Sequence, residues 1–120
     1  MSPAAPRPAE HHPLSDALVE VIAEPFRVLG EPMRIRILDR LRDGDGNVAE
    51  LVEATGSSQQ NVSKHLRVLL DAGFVGREQQ GNFARYSIAD ESVFRLCEEV
   101  CGGIQERLAG LEAVIDEATR

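Results

Sequence analysis

Between residues 57 and 67 the chain concentrates side chains that make hydrogen bonds: Ser57, Ser58, Gln59, Gln60, Asn61, Ser63, Lys64, His65 and Arg67. A carboxamide can bond an adenine edge at two points at once, while hydroxyl, ammonium and guanidinium groups suit phosphate oxygens. On a helix, Gln59, Gln60, Ser63 and Lys64 share one side, opposite Val62, Leu66 and Leu69. Solvation is the plain alternative for such a polar face, and composition alone leaves both readings open. A second group of reactive side chains is Cys97 and Cys101, four residues apart and so on one face of any helix that carries them.

The elements that position these residues follow from periodicity and punctuation. Leu14–Ala23 repeats apolar residues at helical spacing, with Ser15 or Asp16 as its cap. Pro25 then fits the first turn of a short second helix ending at Leu29 and closed by Gly30. Pro32 opens a third helix with Ile35, Leu38 and Leu41 along one side, and Asp43-Gly44 ends it. Asn47 caps a helix holding Val48, Leu51, Val52 and Ala54, stopped by Gly56. Ser57 or Ser58 caps the next, which runs to Ala72 with Val62, Leu66, Leu69 and Leu70 inward.

Phe74–Gln80 and Phe83–Ile88, joined by Gly81-Asn82, read as a β-hairpin that carries Arg77 and Arg85. Asp90 caps a long last helix to about Ala118, with an apolar stripe of Val93, Phe94, Cys97, Val100, Cys101, Ile104, Leu108, Leu111 and Ile115. The expected fold is therefore mainly α (α+β), with five to six helices and one hairpin. Helix, tight turn, helix and Arg-bearing hairpin in succession make a winged helix-turn-helix, in which the second helix of the pair enters the major groove of DNA.

Size and charge bound the reading. A chain of 120 residues with 4% aromatics and no Trp holds one domain whose core is aliphatic. Residues 14–120 form that domain, and Met1–Pro13, with four Pro and no apolar run, reads as a disordered tail and not a signal peptide. His11 and His12 fall in this tail, either as added nitrogen ligands or as part of a solvated segment. No stretch approaches the roughly 18 apolar residues of a membrane span. Two Cys cannot build a disulfide framework, which suits the reducing cytoplasm.

The net charge is −7, yet residues 57–86 carry four basic side chains (Lys64, Arg67, Arg77, Arg85) against two acidic ones (Asp71, Glu78). Screening confines phosphate attraction to about 8–10 Å, so a locally basic surface suffices. An enzyme finds little support. Ser63 and His65 have no strained strand–Ser–helix elbow or acidic orienter beside them, and the carboxylates are too scattered for a metal-dependent nuclease.

Three segments in order resemble the ArsR/SmtB family of metal- and stress-sensing repressors. Leu29-Gly30-Glu31-Pro32-Met33-Arg34-Ile35-Arg36-Ile37-Leu38 looks like its L-x-x-P-x-R-x-x-I-L signature. The run from Asn61 through Ser63, His65, Leu66, Leu69, Ala72 and Gly73 to Val75 is similar to its S-x-H-L-x-x-L-x-x-A-G-L-V recognition segment. Gly81-Asn82-Phe83-Ala84-Arg85-Tyr86 looks like its wing. The resemblance implies a homodimer joined through the first and last helices and a double-stranded, inverted-repeat operator. It further implies that Gln59, Gln60, Ser63 and His65 face bases or phosphates, with wing contacts from Arg77 and Arg85; the other reading of His65 is packing at the helix surface without touching DNA. Ser58, Asn61, Lys64 and Arg67 complete the expected DNA surface, and Arg34 either reaches phosphate or pairs within the protein.

The family's metal sites fare less well residue by residue. Where its arsenic and cadmium type places Cys-x-Cys, this chain has Asn47 and Ala49. Where its zinc type places Asp-x-His and then His-x-x-Glu or His, this chain has Asp90, Ser92, Gly103 and Glu106, so both carboxylates remain without the imidazoles. Cys97 and Cys101 are what is left. Their Cβ atoms should lie about 5–6 Å apart, against roughly 3.5–4.5 Å in a disulfide, which disfavours a bond within the helix. Across a two-fold, up to four thiols could hold a soft metal or metalloid, or form an intersubunit disulfide. The alternative is burial of two small apolar side chains. The function expected is a repressor released by a thiol-reactive or soft-metal signal. The alternatives are a constitutive or autoregulatory repressor and a winged-helix module that binds protein.

Overall fold

The computed structural model describes residues 12–119, which form five helices and one antiparallel hairpin. In chain order these are α1 (Asp16–Leu29), α2 (Pro32–Arg42), α3 (Val48–Thr55), α4 (Gln59–Asp71), β1 (Val75–Gln80), β2 (Phe83–Ile88) and α5 (Ser92–Ala118). The disordered-tail reading of residues 1–13 falls almost wholly outside the described residues.

Local chemistry sets the boundaries. Ser15 Oγ accepts from the Leu18 amide at 3.2 Å and starts α1. Asn47 and Glu50 form a reciprocal capping box on α3, with Oδ1 of Asn47 accepting from Glu50 N at 2.9 Å and Oε1 of Glu50 from Asn47 N at 3.1 Å. Gly56, at φ +72°, ends α3 in the left-handed conformation that costs glycine no Cβ clash, and its N–H donates to Val52 O at 2.8 Å. Two residues later Ser58 Oγ caps α4 by accepting from Asn61 N at 3.1 Å. The turn between the two helices is thus only three residues, Gly56 to Ser58.

Three expectations need correction. Pro25 does not open a separate helix but lies inside a continuous α1. Proline removes one intrahelical donor, and here the turns on both sides of it stay helical. Ile35 is 46% exposed and does not join Leu38 and Leu41 in the core; Ile37 takes that place, fully buried. Asp90 is not the cap of α5: the helix begins at Ser92 with Glu91 at the cap position and no side-chain cap bond, while Asp90 Oδ1, one residue earlier, accepts from Ser92 N at 2.9 Å.

One core holds the domain together: Val28 and Leu29 of α1, Ile37, Leu38 and Leu41 of α2, Leu51 of α3, Val62, Leu66 and Leu69 of α4, Phe74, Val75, Val93 and Phe94. The hairpin pairs Val75 with Ile88 and Gln80 with Phe83, around a two-residue turn at Gly81-Asn82. Gly81 has φ +60° and Asn82 does not leave negative φ, which fits a turn needing a left-handed first residue only. Gly46 and Tyr86 exchange backbone bonds at 3.1 and 2.8 Å, fastening the hairpin to the α2–α3 loop.

Helix α5 contributes only Val93 and Phe94 to the core, so most of its 27 residues lie on the surface. Among the described residues, no helix is long and apolar enough to cross a membrane.

The core makes a graded prediction. Leu66→Ala should cost about 2–5 kcal/mol, and Asn47→Ala, which removes one cap, about 1 kcal/mol. Chemical denaturation of both variants checks it; equal losses would mean that α4 is not packed as described.

Candidate nucleic-acid interface

The inner face of α4 is fully buried at Val62, Leu66 and Leu69, packed on α2 and α3. That packing leaves the first turn and the outer face in solvent, where Gln59, Gln60, Ser63 and Lys64 are all exposed. Ser57, Ser58, Gln60, Asn61 and Lys64 rim a shallow hollow at the start of the helix. Gln59 lines a neighbouring cleft whose far wall is the hairpin tip, at Asn82 and Phe83. Helix start and hairpin tip therefore border one surface.

The remaining side chains expected on this surface are engaged within the protein. Asn61 is half-buried and donates from Nδ2 to Ser57 Oγ at 2.8 Å, bracing the turn. Arg67 is exposed and pairs with Asp71 one turn on, at 3.2 Å. Arg85 donates to Asp45 O at 2.8 Å and lies 3.4 Å from Glu50, whose other carboxylate oxygen is 3.6 Å from Arg40. This arginine ties the hairpin to α3. Arg77 is exposed, with only a long 3.4 Å contact to Gln79.

His65 and Arg34 meet each other within the protein. His65 is turned inward: it is 5% exposed, because position 65 falls on the same stripe as Val62, Leu66 and Leu69. Arg34 takes the second of its two expected roles and pairs within the protein. Its Nε–H donates to His65 Nδ1 at 3.2 Å and its Nη1–H to Val28 O at 3.0 Å. Burial pushes the His65 imidazole below its ordinary pKa, opposed by the nearby Glu31 carboxylate and assisted by Arg34 and Lys64. The Glu50 anchor and the His65–Arg34 contact were missed from sequence; both join elements more than thirty residues apart.

The description "Bacterial regulatory protein, arsR family" matches residues 31–76, from the cap of α2 to the first residues of β1. The HTH-type transcriptional regulator NmtR of Mycobacterium tuberculosis is 37% identical over 87 residues, which cover 72% of each chain. This chain belongs to the arsR family of bacterial regulatory proteins. A probable mercury resistance operon repressor of Streptomyces lividans is 41% identical over 68 residues, 57% of this chain and 54% of that one. In three dimensions, the homodimeric winged helix-turn-helix DNA-binding domain of a possible ArsR-family regulator from Mycobacterium bovis superimposes with a TM-score of 0.67. That alignment has 32% identity and covers 81% of this chain and 93% of the other. The family and the fold are those of DNA-binding transcriptional regulators, not enzymes.

In this ArsR-family chain, the positions where the resemblance places metal ligands do other work. Asn47 is committed to the α3 cap. Asp90 Oδ1 accepts from both the amide and the hydroxyl of Ser92, at 2.9 and 2.5 Å, and those bonds hold its carboxyl below the usual range. Among the described residues, no three or more His, Cys, Asp or Glu side chains are grouped to hold a metal ion. Cys97 and Cys101 are exposed free thiols. They line an apolar groove of about 380 Å³ with Phe26, Leu29, Ile35, Leu96, Val100 and Ile104. The α1 and α2 walls of that groove were not foreseen, since Ile35 was assigned to the core.

Proposed function

We propose that this chain represses transcription as a homodimer, with residues 14–120 acting as one DNA-binding and dimerisation unit. The observation that carries the reading is the two-faced α4: a fully buried inner stripe and a solvated outer face whose Gln59, Gln60, Ser63 and Lys64 are exposed and have no side-chain partner among the described residues. Gln59 and Gln60 suit base edges, while Ser58, Ser63 and Lys64 suit phosphates at the helix N-terminus. Arg77 adds a phosphate contact from the hairpin. Arg67 and Arg85 reach DNA only by exchanging Asp71 and Glu50 for phosphate, and Asn61, His65 and Arg34 act by holding α4 in place.

The dimer rests on α5 and α1. Cys97, Cys101, Ile104, Leu108, Leu111 and Ile115 recur at alternate spacings of four and three, the pattern of a coiled-coil seam. Ile104, Leu108, Leu111 and Ile115 are 43–56% exposed, and Phe26 of α1 is 56% exposed. A monomer that leaves so long an apolar stripe in water invites a second copy to cover it. The Mycobacterium bovis relative is homodimeric. A two-fold axis would present two α4 helices to successive major-groove turns of an inverted repeat, about 34 Å apart.

The signal is read at the groove. Two thiols in apolar surroundings suit a soft metal or metalloid, or reversible oxidation. A single copy supplies too few donors for a closed four-coordinate site, so a metal would be held by Cys97 and Cys101 alone or jointly with the thiols of a second copy. The Streptomyces lividans relative is a probable mercury resistance repressor, which favours a soft ion over a hard one.

Two experiments test these readings. By anisotropy on DNA from upstream of the protein's own gene, Lys64→Ala should weaken binding to all sequences alike and lower the log–log salt slope by about one. Gln60→Ala should instead change sequence preference; equal effects from both would overturn the assigned roles, and absence of salt-sensitive DNA binding would favour a protein partner in place of DNA. For the signal, mercuric ion or a mild oxidant should release DNA from the reduced protein, thiol reagent should restore binding, and Cys97→Ser or Cys101→Ser should abolish the response. Release that persists in both variants, or none in the wild type, leaves the cysteines as packing residues of a repressor that does not sense through them.

A further inference from the structure

Arg34 stands at a junction that DNA contact does not explain. It is the third residue of α2, and its guanidinium joins three helices: its own, the end of α1 through Val28 O, and the middle of α4 through His65 Nδ1. Next to it in sequence, Ile35 lines the thiol groove, as do Phe26 and Leu29 around Val28. A displacement of the α1 end at the groove therefore reaches α4 through two hydrogen bonds.

The His65 end of this link is chemically specific. Nδ1 can accept from Arg34 only while it carries no proton. Protonated, the ring would present a second cation to the guanidinium, and the bond would be lost. Glu31, which caps α2 through Oε1 on Met33 N at 3.2 Å, keeps its other oxygen, Oε2, buried without a partner. The charged groups acting on the ring are thus Glu31 and Arg34 from α2 and Lys64 from α4 itself.

We infer that Arg34 and neutral His65 are positioning residues for α4, and that a proton on His65 breaks the Arg34 bond through which α4 is tied to the end of α1. Neither residue touches DNA; both act by setting where the first turn of α4 lies. The inference rests on α4 being the helix that reads DNA. Its sign is opposite to simple electrostatics, since an added positive charge by itself strengthens attraction to phosphate. The lowered pKa agrees in sense: the ring is neutral in the folded protein at neutral pH, and acidification below its ordinary value of 6.5 favours states in which the bond is broken.

The test pairs DNA binding with a readout that needs no DNA, on wild type and on His65→Gln, whose Oε1 can accept from Arg34 but takes up no proton in this range. Wild-type affinity should fall by about tenfold between roughly pH 7.5 and 5.5, the scale of one charge-assisted hydrogen bond. His65→Gln should show no such fall across the same range, whatever its affinity at the upper pH. In the free protein, backbone amide shifts of Gln60 to Lys64 should titrate in wild type and stay flat in His65→Gln. Flat shifts in wild type, or the same pH profile in both proteins, overturn the inference. Titrating amides with no DNA binding at any pH would uphold the link and overturn the DNA reading.

Discussion

Everything in this fold turns on holding α4 by one side only. Val62, Leu66 and Leu69 are fully buried, and burial of such side chains contributes about 1.5–3 kcal/mol each. That inner stripe fixes the rotation of the helix about its axis. The rotation in turn decides which residues of the first turn are left to solvent. A helix buried all round could not present Gln59, Gln60, Ser63 and Lys64, and one held by fewer contacts could not present them in a fixed place. The three-residue turn from Gly56 to Ser58 adds the second restraint, since it sets the angle between α3 and α4 with little slack.

Around this helix the charged side chains divide into those that hold the scaffold and those left free. Arg85, Arg40 and Glu50 fasten hairpin to α3, and Arg34 fastens α4 to α1 and α2. Lys64 and Arg77 have no carboxylate partner among the described residues. In a chain of net charge −7, this division matters more than the total. The acidic surplus lies outside the segment that carries Lys64 and Arg77, so a short-range basic surface survives on an acidic protein. Away from the hollow at the start of α4, α5 and α1 leave apolar side chains exposed, and the thiol groove is lined by residues of both together with Ile35 of α2. The groove and the α4 surface are distinct places on one small core, joined through the α1–α2 corner.

The local features were legible in the residues. Helices α3 and α4 follow from the Asn47 and Ser58 caps, Gly56 and the period of Val62, Leu66 and Leu69. The hairpin follows from alternation around Gly81-Asn82. Each of these is a short-range preference that tertiary packing reinforces. Pro25 misled because a proline weakens a helix locally, whereas the continuity of α1 depends on the turns at both sides. The His65–Arg34 contact and the place of Ile35 were not legible for a different reason. A histidine or an arginine is polar enough to be read as exposed, and only the contact between residues 34 and 65 shows that each satisfies the other inside. Ile35 was read as core, and only the packing of α5 beside α1 and α2 shows it as the wall of a groove. None of these contacts has a periodicity to betray it.

The central claim is that two copies place two α4 helices on one operator. Hydroxyl-radical footprinting of the full-length protein on the DNA upstream of its gene tests it most directly. The account predicts two protected segments related by a two-fold, their centres about one helical turn or 10–10.5 base pairs apart. A single unrepeated footprint, or protection without two-fold symmetry, would contradict it.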